Sequence, residues 1–162
     1  MNSIDSTART LHLVDLENLL GDPFALDGAA QVLDAYAEAA EWKSGDLTYV
    51  AANRWLVKRL AFAPHIPCQL CTAPAGPDAA DLELLALARP EFLDRFDRLA
   101  IGSGDHIFSS CAQAARERGI DVIVVAPAGS IAADLCEHAS VRLLDRRRSD
   151  CERRTVTDRR VA

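Results

Sequence analysis

Short β-rich apolar runs recur along this chain with helical stretches between them, and that alternation leaves few folds open. Residues 122–126 read VIVVA, a continuous apolar run of the kind a parallel strand needs when helices cover both its faces. Similar runs stand at 11–16 (LHLVDL), 47–52 (LTYVAA), 66–72, 99–102 and 141–144. Between them Leu33, Tyr36, Ala37 and Ala40 fall at helical spacing, with Gly45 expected to close that helix. Further helices are expected at 54–63 before Pro64, at 78–88, at 109–118 before Gly119, and at 131–138. Strand and helix in turn predict an α/β fold, with a mainly parallel central sheet and helices on both sides.

With 162 residues, 49% of them apolar and 26% charged, the chain is expected to form one soluble domain. No apolar run is long enough to span a bilayer, and MNSIDSTART lacks the core of a signal peptide, so a cytoplasmic location and no membrane partner are expected. Five cysteines show no repeated spacing. The single CxxC, Cys68 to Cys71, has neither a second CxxC nor a His pair, and it falls in a strand-like run; reduced, buried thiols are expected there. Residues 146–162 carry seven Arg against three acids, a charge of +4, which leaves −10 on the rest of a chain whose total is −6. Clustered arginine attracts a phosphate backbone without reading sequence.

Three acidic segments then take up equivalent positions. Asp15 ends the first strand in VDLENLL, with Asn18 three residues on. Asp78 and Asp81 open a helix in GPDAADLELL, three apart and so on one face of its first turn. Asp105 follows the fourth strand in IGSGDHIF, after three small residues that let the chain turn. Each acid has a plain structural use as a helix cap, Asp78 and Asp105 above all. In a parallel sheet, however, the ends of these strands lie on one edge, where open α/β sheets keep their ligands. Carboxylates brought together there need a cation, and oxygen ligands without His or Cys suit Mg²⁺ or Mn²⁺.

These segments, with RERGIDVIVVAPAGS after them, resemble the NYN domain of the PIN-like nuclease superfamily over nearly the whole chain between its two tails. The resemblance implies a three-layer PIN-like (Rossmannoid) domain over residues 11–145, between an N-terminal tail, 1–10, and an Arg-rich tail, 146–162. It implies a metal-dependent ribonuclease using Mg²⁺ or Mn²⁺. Asp15, Asp81 and Asp105 would be the metal-binding and catalytic acids, and Asp78 would be a further ligand. Asn18 would support Asp15, and Ser103 would orient Asp105 or touch a phosphate. Arg146, Arg147 and Arg148 would hold the RNA backbone. The chain departs from the family at Ile107, where relatives often carry a second acid after SGD, and at Ala139-Ser140, where they often carry Ala-Asp. Asp134 is a further candidate acid.

The rival reading is a weakened NYN domain that binds RNA or a protein partner without cutting. A receiver-like signalling domain would need a lysine near its end, and no lysine follows Lys58. GSGDHI matches neither dinucleotide-binding nor P-loop patterns. Substrate sequence, DNA against RNA, and oligomeric state, a homodimer included, are not written in the chain.

Overall fold

The computed structural model describes residues 8–22, 26–63 and 65–144. Pro64 and the arginines at 146, 147 and 148 lie outside them. Among the described residues there are six strands: β1 (Thr10–Asp15), β2 (Leu47–Ala52), β3 (Gln69–Thr72), β4 (Arg98–Gly102), β5 (Asp121–Ala126) and β6 (Ser140–Leu143). They form one sheet in the order β3-β2-β1-β4-β5-β6, and every pairing is parallel. The expected α/β architecture is therefore what the chain adopts.

The α-helices of the described residues are α1 (Leu16–Leu20), α2 (Ala29–Ala39), α3 (Arg54–Ala61), α4 (Ala79–Leu87), α5 (Pro90–Leu93), α6 (Ser109–Glu117) and α7 (Ala133–His138). Strand periodicity divides the core in two. Leu11 and Leu13 of β1, with Leu99 and Ile101 of β4, pack with Leu84, Phe108, Ala112 and Leu135 on the side of α4 to α7. Val14, Val50, Ala100 and Val125 pack with Leu16, Leu33, Tyr36 and Leu56 on the side of α1 to α3. The sheet is thus a middle layer, buried on both faces.

Some boundaries differ from the sequence reading. The 122–126 run is buried but lies one strand in from the edge; β1 and β4 are the centre. The α2 helix stops at Ala39 rather than at Gly45, because Glu41 takes a left-handed φ of 55° and its carboxylate is held by Arg142 at 3.1 Å and Arg98 at 3.6 Å. Strand β3 starts at Gln69, three residues later than expected, and α7 starts at Ala133 rather than at 131. The one-turn helices α1 and α5 escaped the periodicity, being too short to show a repeat. Cys68, Cys71, Cys111 and Cys136 are all free thiols. Burial raises the Cys68 and Cys111 thiols to about 11 and also raises Cys71, so none of these three is a thiolate near neutral pH. No helix among the described residues is long and apolar enough to cross a membrane.

Candidate metal centre

Strand order reverses between β1 and β4, so the crevice beyond their carboxyl ends is the position where open α/β sheets bind ligands. Asp15 is the last residue of β1 and caps α1. Its Oδ1 accepts from the backbone N–H of Glu17 at 3.0 Å and of Asn18 at 3.2 Å, which explains how the strand tolerates an acid that is only 5% exposed. Asp81, in the first turn of α4, is equally buried. The two carboxyl groups are hydrogen-bonded to each other. Burial, and after it the neighbouring Asp81 charge, pushes Asp15 up to about 8. Burial also raises Asp81, despite the hydrogen bond it receives from Asp15. The pair therefore keeps a proton near neutral pH.

One oxygen of this arrangement has no use within the fold. Asp81 Oδ1 is buried without a hydrogen-bond partner. A buried acceptor left unpaired costs roughly 1–3 kcal/mol, so a native structure that keeps one invites an explanation. Carboxylate oxygens of Asp78, Asp81 and Asp105 lie within 4.8 Å of one another. Asp78 is exposed at the start of α4 in a left-handed conformation, φ 56°, and its side chain makes no cap hydrogen bond. The expectation that Asp78 caps its helix is thus corrected: the αL backbone turns its side chain away from the helix amides. Asp15 lies outside this group of three and backs it through Asp81.

Asp105 enters from β4. It caps the 3₁₀ turn His106–Phe108, its Oδ1 accepting from Ile107 N–H at 3.0 Å, and exposed His106 sets Nδ1 2.9 Å from the same oxygen. Ser103 is fully buried, and its Oγ accepts from Asp105 N–H at 3.2 Å. Asn18 reaches across from α1, its Oδ1 accepting from Gly104 N–H at 3.0 Å. Gly104 and Gly102 are small for a reason other than a turn, since neither adopts a positive φ. A Cβ on Gly104 would stand 2.0 Å from the Ser130 carbonyl oxygen, and one on Gly102 would stand 2.8 Å from the Tyr36 ring. The loop that carries Asp105 is wedged between its neighbours.

A pocket of about 200 Å³ opens beside Asp15, Asp78 and Asp81; Glu17, Asn53 and the 73–77 loop complete its lining. Glu17 and Asn53 were not picked out from the sequence. Glu17 accepts from Asn53 N–H at 2.6 Å, tying α1 to the start of α3. Only their places just past a strand end, Asn53 one residue after β2 and Glu17 two after β1, could have pointed to them. Asp134 is exposed on α7 and outside the carboxylate group, and Ser140 begins β6, two strands beyond β4. All donors in the group of three are carboxylate oxygens, which fits a hard divalent cation.

Comparison with known proteins agrees with this architecture. The NYN domain family model matches residues 1–145. The fold is similar to the crystal structure of a protein of unknown function from Vibrio parahaemolyticus, with a TM-score of 0.61 and 18% identity over 90% of this chain and 98% of that one. No curated protein matches the sequence. With a parallel sheet reversing at β1 and β4, acids gathered at that edge, and a family match over most of its length, the chain belongs to the NYN domain family.

Proposed function

We propose that this protein is a metal-dependent ribonuclease that hydrolyses RNA phosphodiester bonds at the Asp78, Asp81 and Asp105 group, with Mg²⁺ or Mn²⁺ as its ion. The reading is carried by the meeting of these three carboxylates within 4.8 Å, one of which, Asp81, keeps a buried oxygen without a hydrogen-bond partner. Family membership supports it, because NYN domains belong with the PIN-like nucleases. A cytoplasmic site of action goes with the same reading.

Asp81 and Asp105 would hold the ion, with Asp78 closing the set from the solvent side. Bound there, the ion would supply Lewis acidity at a phosphate oxygen and a nucleophile from water at neutral pH. The chain's own residues do the positioning. Asp15 orients Asp81 through the hydrogen bond between them. Ser103 fixes the amide of Asp105, and Asn18 holds the Gly104 peptide one residue before it. The arginines at 146, 147 and 148 would meet the RNA backbone.

The test is cleavage of an end-labelled single-stranded RNA by the full chain with Mn²⁺, with EDTA, and by Asp81→Asn with Mn²⁺. Cleavage in the first lane alone is expected; cleavage that survives EDTA or the substitution rejects the assignment. One observation favours the rival, a domain that binds RNA or a protein partner without cutting. Ile107 packs against the apolar core where relatives often carry an acid. A folded protein that binds Mn²⁺ and RNA and cleaves nothing would select that rival.

A further inference from the structure

We propose that the exposed face of α3 is a track for single-stranded nucleic acid leading into the acidic pocket, with Trp55 as a base-stacking platform and Arg54 and Lys58 as backbone contacts. This rests on the reading of the protein as one that acts on RNA, and it names where the strand lies.

Position comes first. Strand β2 neighbours β1, so α3 begins on the same sheet edge as the acids. Its N-cap, Asn53, is itself part of the acidic pocket's wall and donates to Glu17. Arg54 and Trp55 are the next two residues. A strand leaving the pocket on this side meets them first.

Chemistry comes second. Trp55 is 51% exposed, although burying an indole is among the larger gains available to a fold. Two cations flank its ring, Arg54 Cζ at 4.5 Å and Lys58 Nζ at 5.4 Å from the centroid. Phe62, one position beyond α3, is 92% exposed, and seven residues from Trp55 amounts to two helical turns on one face. A groove of about 630 Å³ runs beside them, lined by Trp55, Lys58, Arg59 and Phe62, with Asp34 and the Arg59-paired Asp27 also in its lining.

Charge comes third. Residues 1–145 carry −10, yet RWLVKRLA holds three cations and no acid. Arg59 is committed to Asp27 in an ion pair. Arg54 and Lys58 instead lie over the indole. Aromatic platforms between cations suit single strands of any sequence, because every base has a face to stack and every nucleotide a phosphate. Cations beside an exposed ring match a polyanion that carries both bases and phosphates.

The experiment measures binding of a labelled single-stranded RNA by fluorescence anisotropy, using the full chain in EDTA so that no cleavage intervenes. Trp55→Ala should weaken binding about tenfold, the loss expected for one stacked base. Trp55→Phe should restore most of it. Arg54→Ala and Lys58→Ala should each flatten the dependence of affinity on salt. As a second readout, RNA should quench the intrinsic fluorescence of Trp42→Phe, where Trp55 is the remaining indole, and not that of Trp55→Phe. Thermal melts of each variant confirm folding, which a half-exposed side chain should barely affect.

Unchanged affinity and salt slope in Trp55→Ala overturn the proposal, whether or not the protein cleaves RNA. If self-association in sedimentation is lost in that variant while RNA affinity holds, this face is an interface between copies and the proposal is equally overturned. RNA binding that depends on Trp55, in a protein that cleaves nothing with any divalent ion, keeps the track and removes the nuclease reading.

Discussion

In the metal-free protein Asp15 is a buried acid held against a second buried acid, and its pH behaviour follows from that. Its carboxyl stands at about 8 in the fold against 3.8 when exposed. Between those values the unfolded chain has released a proton that the folded chain retains. Stability is then full below about pH 4 and falls as pH rises toward 8, by an amount on the order of a few kcal/mol for this pair. Thermal melts in EDTA across that range should show the decline. Asp15→Asn keeps an Oδ1 for the Glu17 and Asn18 amides and offers an N–H toward Asp81 in place of the carboxyl proton. Its melting temperature should therefore exceed that of the parent at pH 8 in EDTA and decline less steeply with pH, the remaining slope coming from buried Asp81. Mn²⁺ should raise the melting temperature of the parent, most at high pH, and raise that of Asp15→Asn less. A parent profile that rises between pH 4 and 8 would contradict the burial of this pair. The residue scale also shows what a sequence hides. Asp15 and Asp105 stand out as acids at strand ends, but which oxygen is spent on a cap and which is left unpaired depends on helices that a one-turn repeat cannot announce.

At the scale of elements, the loop after β4 is the part built with least tolerance. Small residues in GSGD read as turn-formers, and they prove to be spacers. Gly104→Ala would drive a methyl into the backbone of Ser130, where no side chain can swing aside. Denaturant unfolding should show a loss of about 2 kcal/mol or more, in the range of overpacked sites. The helix α4 is held from below by Leu84, which is fully buried in the same core as Leu13 and Phe108. Leu84→Ala should cost about 2–5 kcal/mol. Because Asp81 rides on the same helix, Mn²⁺ affinity measured by calorimetry should fall with it while Asp81 itself is unchanged. Tyr36 is anchored by a polar contact instead: its hydroxyl lies 3.0 Å from His12 Nδ1, whose other nitrogen faces Asp46 at 3.2 Å. Burial lowers the His12 pKa against the pull of Asp46, so this histidine serves packing near neutral pH.

On the scale of the whole molecule, charge separation is the feature with consequences. An acidic body repels RNA, so affinity must come from local cations, a bound divalent ion, or both. Removing residues 146–162, which hold seven of the arginines, should leave the melting temperature nearly unchanged and weaken RNA binding several-fold. The slope of log affinity against log salt should shrink by up to about 0.7 for each phosphate that the arginines no longer neutralise. An unchanged slope would remove the tail from the binding surface. By itself the sequence determined the alternation of strand and helix, hence the parallel three-layer fold, because periodicity and turn residues are local properties that each segment carries alone. It also marked the acids, since a carboxylate in an apolar run is conspicuous wherever it stands. Only the tertiary structure decided their company: Asp78 joined to Asp81 and Asp105, Asp15 paired behind them, Asn18 bound to Gly104, and Asn53 brought beside Glu17. Those meetings arise from strand order and from how far each helix runs before it stops, and neither quantity is contained in any single stretch of the chain.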